Sequence, residues 1–274
     1  MRTALPRFLA LGLAAVVSAP AFAADEFVAV KGQVVWSKAI AELVGYKPEI
    51  TTDKPVCCKD GDLVSNKFEV DPKTKALKNV IVWLRPDSDD RMAKFPQDKI
   101  APALAKAKSV QHVIDQPKCQ FEPRVLAARE GDTLVVKNSA SIGHNVNFKD
   151  AADTETDSRS FNVTIPAGKE HVIKEPLRAA RTPTMFNCDI HRWMEGRLRV
   201  FDHPYFAVTD KDGNFEIKEA PVGKWRVVYF HEGGFHKGRD GALGFPIEIK
   251  GDKKTTELEK IDYEMPNQGG EPKK

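Results

Sequence analysis

Short runs of β-branched and aromatic residues, separated by Gly, Pro, Asp and Asn, recur along this chain and restrict it to an all-β fold. Gly32-Gln33-Val34-Val35-Trp36, Asn79-Val80-Ile81-Val82-Trp83-Leu84, Thr133-Leu134-Val135-Val136-Lys137 and Trp225-Arg226-Val227-Val228-Tyr229-Phe230 are the clearest. Trp36, Trp83 and Trp225 fall on separate runs and are expected in the core. Two stretches read as short helices, Ser37 to Val44 and the Ala- and Lys-rich Ala101 to Ser109. Apolar residues are lacking from Pro266 onward, and residues 263–274 are taken as a disordered tail.

The order of the strands bears on domain organisation. Between Phe206 and Glu232, Asp212-Gly213 reads as a turn between two alternating strands, and Pro221-Val222-Gly223 as a turn before a third. This stretch resembles the last part of a transthyretin-like or carboxypeptidase-regulatory-like β-sandwich. Such a domain opens with a G-x-V strand and an N-V-x-V-x-L strand, and both patterns lie far upstream, at residues 32–36 and 79–84. One sandwich split in two, residues 24–104 and 204–262, with a second domain inserted over residues 105–203, accounts for this. Compact domains accept insertions because their chain ends lie close together. Two sequential domains are the alternative.

Within the proposed insert, F-E-P-R-V-L-A-A-R-E-G-D-T-L-V-V-K-N-S runs from Phe121 to Ser139 and G-H-N-V-N-F from Gly143 to Phe148. M-F-N-C-D-I-H-R-W-M-E-G-R-L-R-V-F follows from Met185 to Phe201. These segments resemble a cupredoxin, a Greek-key β-sandwich, and the ligand loop is most similar to those of amicyanin and the plastocyanins. The resemblance implies one mononuclear type 1 (blue) copper per chain, with His144, Cys188, His191 and Met194 as ligands and C-x-x-H-x-x-M as the short amicyanin spacing. It also implies that Asn145 ties the two ligand loops together and offers its backbone N–H to the thiolate. The family's Thr-Pro between Cys and His is Asp189-Ile190 here, a change that bears on reduction potential or docking more than on copper binding.

The residue chemistry agrees. Blue copper sites use two imidazoles and a thiolate in a trigonal arrangement with a weak, long axial thioether. Soft sulfur suits Cu(I) and imidazole suits both oxidation states, so a rigid mixed set changes little on electron transfer. Offsets of three cannot share one face of a strand, whose faces alternate with period two. Cys188, His191 and Met194 therefore need a tight loop, with Arg181 to Asn187 leading in and Gly196 to Phe201 leading out. Ile190 and Trp193 are expected to keep the site dry and to leave the His191 edge open through an apolar patch as the electron port.

With Cys188 as a ligand, Cys57, Cys58 and Cys119 remain, enough for one bridge and one odd thiol. A vicinal Cys57–Cys58 bridge is strained. The expected bridge joins one of the pair to Cys119, stapling the outer domain to the insert; Cys57 is preferred, though the sequence does not separate it from Cys58. No C-x-x-C-H is present to attach haem. His231 and Glu232, followed by His236, are expected in an exposed turn, with a weak second metal site as the alternative. His203 is expected to pack at the domain junction. His112 and His171 have no supporting pattern.

Arg2 and Arg7, the apolar run Phe8 to Val17, and Ala21-Phe22-Ala23 as a small-x-small cleavage site make residues 1–23 an export signal. The run falls short of the roughly 18 apolar residues a membrane helix needs, and nothing later approaches that length. The mature chain starts near Ala24, is periplasmic or otherwise exported, and has no integral membrane segment. Removing the signal's arginines lowers the formal charge from +3 to +1, which argues against a polyanion-binding surface and so against nucleic acid as a partner.

The function read from these features is electron transfer. Copper cycles between Cu(I) and Cu(II), donor and acceptor redox proteins are the partners, and no substrate is changed, so the chain is not an enzyme. Copper handling (storage, delivery or resistance) is the alternative; Met-rich segments usually accompany that role, and 5 Met in 274 residues do not support it. A catalytic site of the nitrite reductase kind needs a second copper with three further histidines, for which His203, His231 and His236 are the available set.

Overall fold

The computed structural model describes residues 26–39, 41–151 and 159–265. The expected export signal and the chain from Pro266 lie outside these residues. Among the described residues no helix is long and apolar enough to cross a membrane.

The strands up to the ligand region are β1 (Phe27–Val35), β2 (Ile81–Pro86), β3 (Gln111–Ile114), β4 (Val125–Arg129), β5 (Thr133–Asn138) and β6 (His144–Phe148). Then come β7 (Phe161–Ile165), β8 (Lys169–Ile173), β9 (Thr184–Asn187), β10 (Glu195–Phe201) and β11 (Phe206–Val208). The chain closes with β12 (Asn214–Pro221), β13 (Gly223–His231), β14 (Gly234–Phe235), β15 (Phe245–Ile249), β16 (Thr255–Glu257) and β17 (Ile261–Asp262). Two one-turn helices, α1 (Lys54–Cys57) and α2 (Pro102–Ala105), interrupt them.

Strand pairing joins distant parts of the chain. β1 runs antiparallel to β12, and β16 and β17 pair with β1 in parallel. A second sheet has the order β11-β2-β13-β14, with β15 also paired to β13. These two sheets enclose a core that includes Val28, Val30, Val34, Trp36, Val82, Leu84, Trp225, Val227 and Tyr229. Residues 111–201 supply two further sheets, β4-β10-β9-β6-β7 and β3-β5-β8. Their shared core includes Phe121, Leu134, Val136, Val146, Phe148, Phe186 and Leu198.

Period-two alternation explains which residues face which core. In β1, Val28, Val30 and Val34 are buried while Ala29, Lys31 and Gln33 are not. β2 and β13 bury both faces, which is why they read as continuous apolar runs. Val82, Leu84, Trp225, Val227 and Tyr229 enter the first core. The alternate residues Ile81, Trp83 and Val228 meet Val125 and Phe201 of the intervening segment in a third cluster. The Arg199 guanidinium lies over Trp83 and Phe201, at 5.0 and 4.7 Å from the ring centroids. All three expected core tryptophans are thus buried, with Trp83 at the junction. The expected Asp212-Gly213 turn forms: Asp210 Oδ1 accepts from the N–H groups of Asp212 and Asn214, and Gly213 takes φ +72°, where its Cβ-less backbone passes Val34.

Several local expectations are corrected. The described residues of Ser37 to Val44 form no helix: 37–38 and 41–44 are turns, and Ala39, Leu43 and Val44 are partly buried against the first core. Only Pro102–Ala105 of the second predicted helix is helical. The tail drawn from residue 263 starts too early: Tyr263 is buried, and its hydroxyl receives the His231 backbone N–H at 2.8 Å. His231 and His236 are buried rather than in an exposed turn, since β14 and the segment carrying Tyr263 fold back over them.

His203 packs at the junction as expected, 4.4 Å from Phe95 and 5.4 Å from Phe201 between ring centroids. Burial, with smaller contributions from nearby cations, pushes the pKa values of His203 and His231 down to about 3. The unfolded chain takes up these protons near the ordinary value of about 6.5. The stability contributed is therefore full above pH ~6.5 and is lost as pH falls toward 3. Each histidine should lower stability by up to about 1.4 kcal/mol per pH unit across that window. Denaturant midpoints measured from pH 7 to 4.5 should fall steeply, and less so in His203→Phe; a flat profile contradicts neutral burial.

Candidate metal centre

β9 and β10 pair antiparallel, with Asn187 opposite Glu195, so residues 188–194 form a loop closing this hairpin. The loop is held by Cys188 N–H donating to the Met194 carbonyl at 3.0 Å and Met194 N–H to the His191 carbonyl at 2.8 Å. This curled backbone turns residues three apart to the same side, as their spacing requires. Gly196 lets the hairpin close, because a Cβ there would lie 2.6 Å from the Arg124 carbonyl oxygen and collide with Phe186. His144 opens β6, which pairs with β9 and faces the loop from the neighbouring strand.

His144, Cys188, His191 and Met194 are fully buried. One donor atom each from His144, Cys188 and His191 lies within 4.8 Å of the others, and these form the sole such group of three or more among the described residues. His144 Nδ1 and His191 Nδ1 are 2.8 Å apart, and Cys188 Sγ is 3.6 Å from His191 Nδ1. Two imidazole nitrogens and one sulfur converging in a dry pocket suit copper, and this arrangement matches the trigonal donor set of a blue copper site. Met194 lies in the same core. His203, His231 and His236 belong to no such group among the described residues.

The sulfur is prepared for the thiolate form. Cys188 Sγ accepts the backbone N–H groups of Asn145 at 3.5 Å and His191 at 3.4 Å. Burial pushes the thiol pKa up, but hydrogen bonds from His144, His191 and these backbone groups outweigh it and bring the value down to about 6. Asn145 also accepts the Asp189 and Ile190 N–H groups on its side-chain oxygen, at 2.6 and 3.4 Å. It therefore bridges the His144 strand and the ligand loop. Asp189 is fastened in turn: the side-chain amides of Asn147, Asn162, Asn187 and Asn145 all donate to its carboxylate, and together they lower its pKa.

The open histidine edge is not found. His191 is fully buried, and its Nε2 lies 3.0 Å from Asp53 Oδ2. Ile190 is exposed, at 45%. Trp193 is partly buried, lies 5.2 Å from the His191 ring and donates its indole N–H to the Cys119 carbonyl. Burial works against a charge on His191, yet the hydrogen bonds to Cys188 and Asp53 prevail and raise its pKa. The expected bridge is Cys57–Cys119, and Cys58 is free. Asp53 carries no motif; its place four residues before Cys57, expected to bridge to Cys119, is the one sequence signal pointing its segment at this site.

Residues 108–201 match the family model described as copper binding proteins of the plastocyanin/azurin family. No curated protein matches the chain. Solved structures with some likeness include the Cu(I) form of an amicyanin mutant, at 17% identity and TM-score 0.27, covering 43% of this chain and 97% of that one. A purple cupredoxin from Nitrosopumilus maritimus is 20% identical with TM-score 0.26, covering 34% of this chain and 99% of that one. A Cu-containing nitrite reductase from Thermus scotoductus SA-01 is 18% identical with TM-score 0.30, covering 42% of this chain and 29% of that one.

Proposed function

We propose that this chain, whose residues 108–201 match the plastocyanin/azurin copper-binding family model, is an exported blue copper protein that carries single electrons between redox partner proteins. The observation that carries this reading is the buried convergence of His144, Cys188 and His191, all three donor atoms lying within 4.8 Å of one another. In it, His144 and His191 through Nδ1, the Cys188 thiolate and the Met194 thioether would hold the copper. Copper so bound supplies reversible one-electron chemistry. The chain keeps the donors fixed through Asn145, the hairpin loop and the dry core, so little rearrangement accompanies gain or loss of an electron.

The rest of the chain is read as one β-sandwich of residues 24–104 and 204–262 with residues 105–203 inserted. The antiparallel pairing of β1 with β12 and of β2 with β13 across the intervening segment supports it. Export rests on the pattern of residues 1–23. Voltammetry of the copper-loaded protein tests the function: a reversible one-electron wave with copper retained on repeated cycling is expected. Loss of copper on reduction, with no return wave, contradicts electron carriage and favours copper handling.

A further inference from the structure

Asp53 reaches the metal centre from far along the chain. It belongs to a segment 138 residues away from the ligand loop, yet its carboxylate sits 3.0 Å from the outward nitrogen of His191. Its backbone occupies the left-handed region at φ 50°, which Asp and Asn adopt more readily than other side-chain-bearing residues. The Asp53 carbonyl accepts the Val56 and Cys57 N–H groups at 2.9 Å, so α1 begins at the point where the side chain reaches the imidazole.

Two further ties hold this segment down. Cys57, in α1, is bonded to Cys119, and the Cys119 carbonyl takes the indole N–H of Trp193 at 3.1 Å. Trp193 in turn packs on the His191 ring. Asp53, Cys57, Cys119, Trp193 and His191 thus form a closed chain of contacts over one side of the site. Ile50, just before Asp53, packs against the same core.

We propose that Asp53 is a positioning residue for the copper centre, closing the His191 edge to solvent and biasing the metal toward its oxidised form. This rests on the reading of His191 as a copper ligand through Nδ1. With Nδ1 committed to the metal, Nε2 carries the proton and donates it to the carboxylate. A carboxylate on the far nitrogen fixes ring orientation and makes the ligating nitrogen a better donor. A nearby negative charge favours the more positive oxidation state, again Cu(II) over Cu(I). A partner approaching over His191 therefore meets Asp53, whose side chain is 41% exposed, rather than a bare imidazole edge.

The test compares copper-loaded wild type, Asp53→Asn and Asp53→Glu by visible and EPR spectra and by midpoint potential. Asparagine keeps the size and removes the charge; glutamate restores the charge. All three should be blue. Asp53→Asn should shift the Cu(II)-over-Cu(I) preference about tenfold, which is a rise of about 59 mV for one electron. Asp53→Glu should recover at least half of that shift. Blue proteins with equal potentials in wild type and Asp53→Asn overturn the role of Asp53 while leaving the copper site intact. A wild type that binds copper without blue colour overturns the underlying reading and this one with it. Should Asp53→Asn fail to fold, Asp53→Ser carries the same comparison, and an unchanged potential there is equally decisive.

Discussion

Cys188→Ser should leave the copper-loaded protein colourless and lower its copper affinity by more than about 100-fold, since losing even a residue that merely supports a ligand costs about 10–100-fold. The intense colour of a blue site arises from charge transfer between thiolate sulfur and Cu(II), which a serine oxygen does not supply. The loss also removes the soft donor that suits Cu(I). The metal-free variant should keep its β-sheet circular dichroism, because serine is close in shape to cysteine and two backbone N–H groups already point at that position. Colour surviving in Cys188→Ser contradicts the assignment of the sulfur. Loss of fold is separated from loss of ligand by the spectrum of the metal-free protein.

The second large effect is one of stability. Arg124 and Glu232 pair with side chains only 3% and 0% exposed, and the guanidinium also meets Asn66 Oδ1 at 3.0 Å. Three separate stretches of chain are tied at this point. Glu232→Ala leaves the buried arginine charge with only the longer, partly exposed contact to Glu195 at 3.8 Å, which costs about 3 kcal/mol. For a chain of this size a loss of that order lowers the melting temperature by roughly 10 °C. Replacing both residues with Met should recover most of the loss, because apolar pairs of similar volume often match a buried ion pair. The effect should also reach the metal loop, since the Arg124 carbonyl receives the Arg197 N–H at 2.9 Å and so backs the hairpin that carries Cys188. A melting temperature within about 2 °C of wild type in Glu232→Ala contradicts this.

How much of this is legible in the sequence depends on how local each signal is. Cys188, His191 and Met194 stand out because one short loop holds chemically unusual donors at a spacing no strand can present. His144-Asn145 stands out because a ligand and the residue tying it to the other loop are neighbours. The strand runs around Trp83 and Trp225 are readable because both faces are buried, which writes a continuous apolar pattern. The misses are non-local. Ala39, Leu43 and Val44 share a helix-like spacing, but the segment meets the distant first core as turns. His231 ends a strand and His236 follows it, which reads as a turn; the return of β14 and of the distant Tyr263 segment over them buries both. Asp53 has no local pattern at all, and its meeting with His191 depends on the fold as a whole.

X-ray absorption at the copper edge of the Cu(II)-loaded protein tests the central claim most directly. One short copper–sulfur contact together with two imidazole nitrogens is the expected first coordination sphere. A sphere of nitrogen and oxygen donors alone, with no short sulfur, contradicts the site built from His144, Cys188 and His191.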